Sequence, residues 1–217
     1  MNKEKVGIIG SGVVAQALGS GFLKKGCQVV MGTSKPEKLA EWRKTAGFGA
    51  SLGSFSEAAA FGDLLVLAVK GTAAEDAVMR TGPDKLAGKI VLDTCNPIAD
   101  APPVNGVLQF FTGPNESLME RLQQLAPNAR FVKAFSCIGS AFMVDPTFVG
   151  GKPTMFICGN DDAARKQAAA VIEGFGFEAA DMGKAEAARA IEPLCMLWCI
   201  PGLRNNDWSH AFKLLKA

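Results

Sequence analysis

The 217-residue sequence has a single histidine, His210, close to its carboxyl end. With one imidazole there is no obvious catalytic triad to assemble. His210 reads as a helix-surface residue rather than a catalytic acid. Six cysteines (Cys27, Cys95, Cys137, Cys158, Cys195 and Cys199) are scattered, mostly inside apolar runs, as reduced and buried thiols are. Cys195 and Cys199, at i and i+4, fall on one helix face, but a metal would need further ligands, so no metal site is expected. No apolar run approaches the roughly 18 residues that span a bilayer. "MNKEKVGIIGSG" lacks the apolar core and cleavage site of a signal peptide. A soluble, cytoplasmic protein without a membrane partner is the expectation. A large charge of one sign is also missing: 23 basic and 21 acidic residues leave a formal +2, with no basic stripe for nucleic acid.

What is present is an ordinary globular balance, 48% hydrophobic and 20% charged, enough for one sizeable core. "KVGIIG" (5–10) reads as a buried strand and "VAQALGSGFLKKG" (14–26) as a helix ending at Gly26. "CQVVMG" (27–32) predicts a second strand, and "KPEKLAEWRKTAG" (35–47) a helix with Pro36 in its first turn. A short third strand is expected near "GASLG", then a helix over 54–62 opened by Ser54 or Ser56. "DLLVLAVK" (63–70) is almost wholly apolar, as a central parallel strand covered on both faces must be. A helix over 72–80 and a strand over 89–97 continue the β-α-β rhythm of a doubly wound, mostly parallel sheet of Rossmann type.

Residues 98–116 form the longest irregular region, of the kind that is often functional in a compact domain. A helix over 116–127 and strands over 129–136 and 153–160 follow. The tail predicts a helix from "DDAARKQAAAVIEGFG", a short strand from "FEAADMG" and an apolar helix from "KAEAARAIEPLCMLWCI". Pro201 and Gly202 are expected to break that helix, and "NNDWSHAFKLLK" to close the chain as another. The whole chain, 1–217, reads as one domain of this Rossmann type, with 137–217 as an integral carboxyl-terminal extension of α/β and helical character. The helix "IEPLCMLWCI" is apolar on more than one side, which a homodimer or packing on the sheet would cover.

Two stretches carry the ligand chemistry. Gly10-Ser11-Gly12-Val13-Val14-Ala15 fits G-x-G-x-x-A directly between a strand and a helix, the context that makes the pattern specific. Gly10 allows the sharp turn, Gly12 lets a pyrophosphate approach the backbone, and Ala15 lets the helix pack near the strand. Main-chain amides at the helix start then face the phosphates. About twenty residues on, "MGTSKPEKL" holds no carboxylate before Glu37. Thr33 and Ser34 supply hydroxyl donors, Lys35 a charge, and Lys38 a second cation one turn later. That group suits a 2′-phosphate better than a ribose diol, so the cofactor is expected to be NADP. On another reading Thr33 only caps the second helix and the lysines are solvated.

The segments "VGIIGSGVVAQAL", "VVMGTSKPEKL", "VLDTCNP", "RFVKAFSCIGSAFMVDP", "PTMFICGND" and "ADMGKAEAARAIEPL" resemble the F420-dependent NADP reductases and the related cytosolic domains of the STEAP metalloreductases. The resemblance covers nearly the whole chain, with the pattern G-x-x-x-x-A-R-x-I/L-E (Gly183 to Glu192) and "VKAFS" more diagnostic than the glycine turn. It implies NADP phosphates at Ser11–Val14 and the 2′-phosphate at Thr33–Lys35. It places the nicotinamide near Ala68, Val69 and Lys70, near Asn96 and Pro97, and near Ala134, Phe135 and Ser136. Members often carry G-[S/T]-R after the second strand; Ser34 stands in the arginine's place here, with Lys35 one residue later, and lysine lacks the planar fork.

The activity implied is hydride transfer between NADP(H) and a small-molecule acceptor, coenzyme F420 or a flavin, which needs orientation more than a nucleophile. Phe135, Phe142, Met143 and Trp198 could line a pocket for such a ring or be core; Asp93 reads as structural. Two alternatives stay open. One is a dehydrogenase of hydroxyacid or imine type, disfavoured by the roughly eighty residues left after Ser136. The other is an NADP-binding regulatory or electron-transfer scaffold without its own substrate.

Overall fold

The computed structural model describes residues 4–217. The first half of the chain alternates strand and helix: β1 (Lys5–Ile9), α1 (Val13–Lys24), β2 (Gln28–Gly32), a 3₁₀ turn (Pro36–Leu39) running into α2 (Ala40–Ala46), β3 (Ala50–Gly53), α3 (Phe55–Phe61) and β4 (Leu64–Leu67). A second 3₁₀ turn (Gly71–Ala73) leads into α4 (Ala74–Thr81), then α5 (Pro83–Leu86) and β5 (Ile90–Asp93). After the irregular 98–116 region come α6 (Leu118–Leu125), β6 (Arg130–Lys133), β7 (Thr154–Ile157), α7 (Asp162–Gly174), β8 (Glu178–Asp181) and α8 (Ala188–Asn205).

Six strands form one parallel sheet in the order β3-β2-β1-β4-β5-β6. The chain winds outward from β1 in one direction and then returns to β1's other side with β4. That reversal opens a crevice at the carboxyl ends of β1 and β4, where such sheets take ligands. A parallel β7–β8 pair joins the sheet through an antiparallel bridge between Lys133 and Cys158.

Period-two alternation explains the apolar strands. Leu64 and Val66 face the layer that holds Leu18, Phe22 and Ile172, whereas Leu65 and Leu67 face the layer of Ala77, Leu122 and Ile191. Both faces of β4 are therefore core, as its run of apolar residues requires. At α3 the expected cap is Ser54: its Oγ accepts from the Glu57 amide while the Glu57 carboxylate accepts from the Ser54 amide at 2.7 Å.

The deepest polar feature joins β5, β6 and α8. Lys133 is fully buried, with Nζ 2.6 Å from Asp93 Oδ2 and 2.8 Å from Glu192 Oε1, and it donates to the Cys95 carbonyl at 2.7 Å. Asp93 Oδ1 accepts from the Cys95 amide. Glu192 accepts from the amides of Leu118 and Met119 at 2.9 and 3.0 Å, capping α6 from a helix 74 residues away. Desolvation pulls the Lys133 ammonium toward neutrality, but the Asp93 and Glu192 carboxylates outweigh it and hold its pKa above the ordinary value. Asp93 is structural, as its sequence position suggested.

Most elements are shorter by a residue or more at each end than the sequence patterns suggested, because frayed turns carry the same composition as the elements they flank. The tail differs in kind. Pro201 and Gly202 do not end α8, which runs on to Asn205 and stops at Asn206 in the left-handed conformation, φ 56°. Proline at 201 removes the bond to the carbonyl of Leu197, a residue exposed enough for water to replace it. Gly202 serves packing instead: a Cβ there would lie 2.2 Å from the Trp208 ring.

Residues 206–217 are not helical. Their polar groups are taken by distant partners: the Trp198 indole donates to the His210 carbonyl, His210 Nε2 meets the Trp198 carbonyl at 2.9 Å, and the Thr154 amide donates to the Phe212 carbonyl. Among the described residues no helix is long and apolar enough to cross a membrane.

Removing one partner of a buried charge cluster leaves uncompensated charge behind. Lys133→Met is expected to lower stability by about 3–5 kcal/mol, read from the urea midpoint at neutral pH; a loss under about 1 kcal/mol would show that the cluster is not a buried ionic one.

Candidate functional site

Gly10 to Val14, Thr33 to Lys35, Lys38 and Ala68 to Lys70 line one cleft of about 500 Å³ at the switch point. Each residue type does identifiable work there. Gly10 sits at φ 141°, and a Cβ on it would lie 2.1 Å from the Ala68 carbonyl oxygen. Only glycine lets the β1 turn pass so close to the end of β4. Gly12 is the opposite case: a Cβ there would meet nothing within 4 Å, because the position opens into the cleft. Ala15 is fully buried against the sheet, as the pattern predicts.

α1 starts at Val13 with Gly12 as its N-cap residue, no side-chain cap and no acidic residue in its first turn. Its first amides therefore keep their hydrogen-bonding capacity and their share of the helix dipole, directed at the cleft. That is the chemistry a pyrophosphate requires.

At the β2 end, Thr33 Oγ1 accepts from the Lys35 amide at 2.9 Å. The hydroxyl thus shapes the turn without capping the helix that follows, whose N-cap residue is Lys35 and which has no side-chain cap, and its proton remains free to donate. Ser34, Lys35 and Lys38 are exposed, and among the described residues neither lysine enters an ion pair. Lys70 pairs with Asp100, tying the turn after β4 to the long 98–116 loop.

The remaining expected residues lie off this cleft's lining, at the carboxyl ends of β5 and β6. Gly71 lets the turn after β4 meet the segment after β5, since a Cβ there would fall 1.9 Å from the Asn96 carbonyl oxygen. Asn96 Nδ2 donates to the Ser136 carbonyl at 2.9 Å, while Asn96 Oδ1 and Ser136 Oγ are buried without a partner. Pro97 and Ala134 are buried. Phe135 is held at φ 56°, an uncommon conformation for an aromatic residue, with its amide on Met155 Sδ. Its ring packs 6.1 Å from Phe175 and edge-on, 5.8 Å, against Phe177. It is a core side chain, and only its backbone turn serves the strand end.

The apolar residues considered for a ring pocket also resolve into packing. Met143 is buried, Phe142 lies 5.1 Å from Phe148, and Trp198 stacks on His210 at 5.1 Å. Burial pushes the Cys137 and Cys158 thiols up to about 12 and the Cys95 thiol well up, so these sulfurs stay protonated.

Sequence reasoning missed Phe55, Ala73, Asp76, Ala77, Arg80 and Thr94, which complete the lining. Ala73, Asp76, Ala77 and Arg80 recur at intervals of three and four, so they share one face of α4. That periodicity was readable; that the face turns to the cleft was not.

Known proteins resemble the chain in sequence and in fold. Residues 5–97 match the family described as NADP oxidoreductase, coenzyme F420-dependent. The rat metalloreductase STEAP3 (Rattus norvegicus) is 32% identical over 206 residues, which are 92% of this chain and 38% of that protein's length. The crystal structure of an Arthrobacter sp. FB24 protein, provisionally named an F420-dependent NADP reductase, superposes with a TM-score of 0.90 at 27% identity, covering 98% of this chain and 99% of the other. A reductive aminase from Aspergillus terreus, solved with NADPH, shares the fold alone: 19% identity, TM-score 0.67, 94% of this chain and 63% of that one. The resemblance read from the sequence is thus borne out.

Gly10→Ala places a methyl against the Ala68 carbonyl in a conformation that L residues rarely adopt. A loss of at least about 1–3 kcal/mol in chemical denaturation is expected, together with loss of dinucleotide binding; a variant retaining both would refute the role given to Gly10.

Proposed function

We propose that this chain, which resembles the coenzyme F420-dependent NADP oxidoreductases, transfers hydride between NADP(H) and a deazaflavin, coenzyme F420, or a flavin-like ring. The observation that carries the reading is the meeting of the uncapped α1 N-terminus with the Thr33–Lys38 hydroxyl and lysine group in one cleft. The first suits a pyrophosphate and the second a 2′-phosphate, at two places along one elongated ligand.

In this reading NADPH supplies the hydride from its nicotinamide. Everything else is positioning by the chain. Gly10 to Val14 hold the pyrophosphate through backbone amides. Thr33 and Ser34 donate to the 2′-phosphate, and Lys35 and Lys38 neutralise it. Ala68, Val69 and Lys70 lead from that cleft toward the ends of β5 and β6. There Asn96 Oδ1 and Ser136 Oγ, both buried without a partner, have the acceptor and donor character that a nicotinamide carboxamide would satisfy. Fixing that ring face-on to a flat acceptor is an orientation problem, which a rigid sheet edge solves without an acid or base.

The acceptor is tested by mixing the protein with NADPH and a panel of deazaflavin, FMN, FAD and quinone, following loss of nicotinamide absorbance. Turnover with the deazaflavin or a flavin supports the reading; NADPH binding without oxidation by any acceptor overturns it in favour of a binding scaffold. Lys35→Glu is expected to raise KM for NADPH at least about tenfold, much more than for NADH. Equal effects on the two cofactors would remove the phosphate assignment.

A further inference from the structure

Arg80 stands apart from the rest of the cleft wall. It comes from α4, in neither of the stretches that announced a nucleotide, yet it lines the same cleft as Lys35 and Lys38. Its guanidinium carbon lies 5.4 Å from the centre of the Phe55 ring, which also lines the cleft. Such a seat holds the guanidinium plane while its N–H groups stay available. Arg80's only ion pair among the described residues is with Asp76, one turn back on α4, at 3.5 Å and with both side chains more than half exposed. Exposed pairs of this kind contribute little and exchange readily for a better anion.

Asp76 gives that exchange a purpose. Asp76 lines the same cleft, where its charge would repel a phosphate if nothing screened it. The wall therefore offers four cations, Lys35, Lys38, Lys70 and Arg80, against one anion, Asp76; Lys70 is already paired with Asp100, and the other three differ in kind. Lys35 and Lys38 are mobile point charges. Arg80 is a planar fork that meets two phosphate oxygens at once.

We propose that Arg80, seated on Phe55, is the residue that reads the 2′-phosphate of NADP(H), with Lys35 and Lys38 supplying additional charge and Asp76 as its partner in the free protein. The proposal rests on the NADP reading above and goes further by assigning selectivity to α4.

Calorimetric titration of the full chain with adenosine 2′,5′-bisphosphate and with 5′-AMP tests it. The wild type should bind the bisphosphate more tightly. Arg80→Ala should weaken bisphosphate binding about tenfold or more and leave 5′-AMP nearly unchanged, with the melting temperature preserved because the side chain is exposed. Arg80→Lys should restore only part of the loss, and Asp76→Asn should tighten the bisphosphate. Equal weakening of both nucleotides by Arg80→Ala, or no weakening of either, overturns the assignment. If Lys35→Glu abolishes discrimination while Arg80→Ala does not, the NADP reading stands and the role of Arg80 falls. A wild type that does not distinguish the two nucleotides removes both.

Discussion

Burying Lys133 between Asp93 and Glu192 commits distant segments to one arrangement. An isolated ammonium in that core would be prohibitive, so β5, β6 and α8 must all be in place before the charge is compensated. Glu192 also caps α6 through two amides, which makes the carboxyl-terminal helix part of the support for the helix before β6. Asp93 and Lys133 pair at the ends of β5 and β6, three residues before Asn96 and Ser136, whose Oδ1 and Oγ have no partner among the described residues. The same cluster that ties α8 to β5 and β6 thus fixes the strand ends that lead to the region proposed for the nicotinamide.

The two halves of the ligand reading draw on different physics. The pyrophosphate end relies on backbone: a glycine that permits close passage, one that leaves open space, and a helix start with free amides. These groups are fixed once β1 and α1 pack. The 2′-phosphate end relies on exposed side chains, whose charges act through water and whose geometry is set by weak contacts such as Arg80 on Phe55. In the proposed reading the first end is a rigid anchor and the second discriminates between related nucleotides.

The parallel sheet was legible because its signals are local. Period-two burial in β4, the glycine turn after β1 and the Ser54 capping box each depend on residues a few positions apart. Where the patterns failed, a distant partner had intervened. "NNDWSHAFKLLK" has a helix-like composition, yet its backbone bonds to Trp198 and Thr154 and stays irregular. Pro201 looked like a stop, but an exposed Leu197 and the fit of Gly202 against Trp208 let α8 continue through it.

For the site, the sequence by itself determined the phosphate turn and the absence of a carboxylate after β2, since both are contiguous and their chemistry does not depend on anything far away. It also pointed to the strand ends at Asn96 and Ser136, through resemblance. Only the tertiary structure decided that Phe135 is core, that Lys133 is a buried cation, and that one face of α4 puts Arg80 on the wall of the cleft that Lys35 also lines. Those facts depend on which surfaces meet when the layers pack, and helical or strand periodicity specifies a face without saying what it will face.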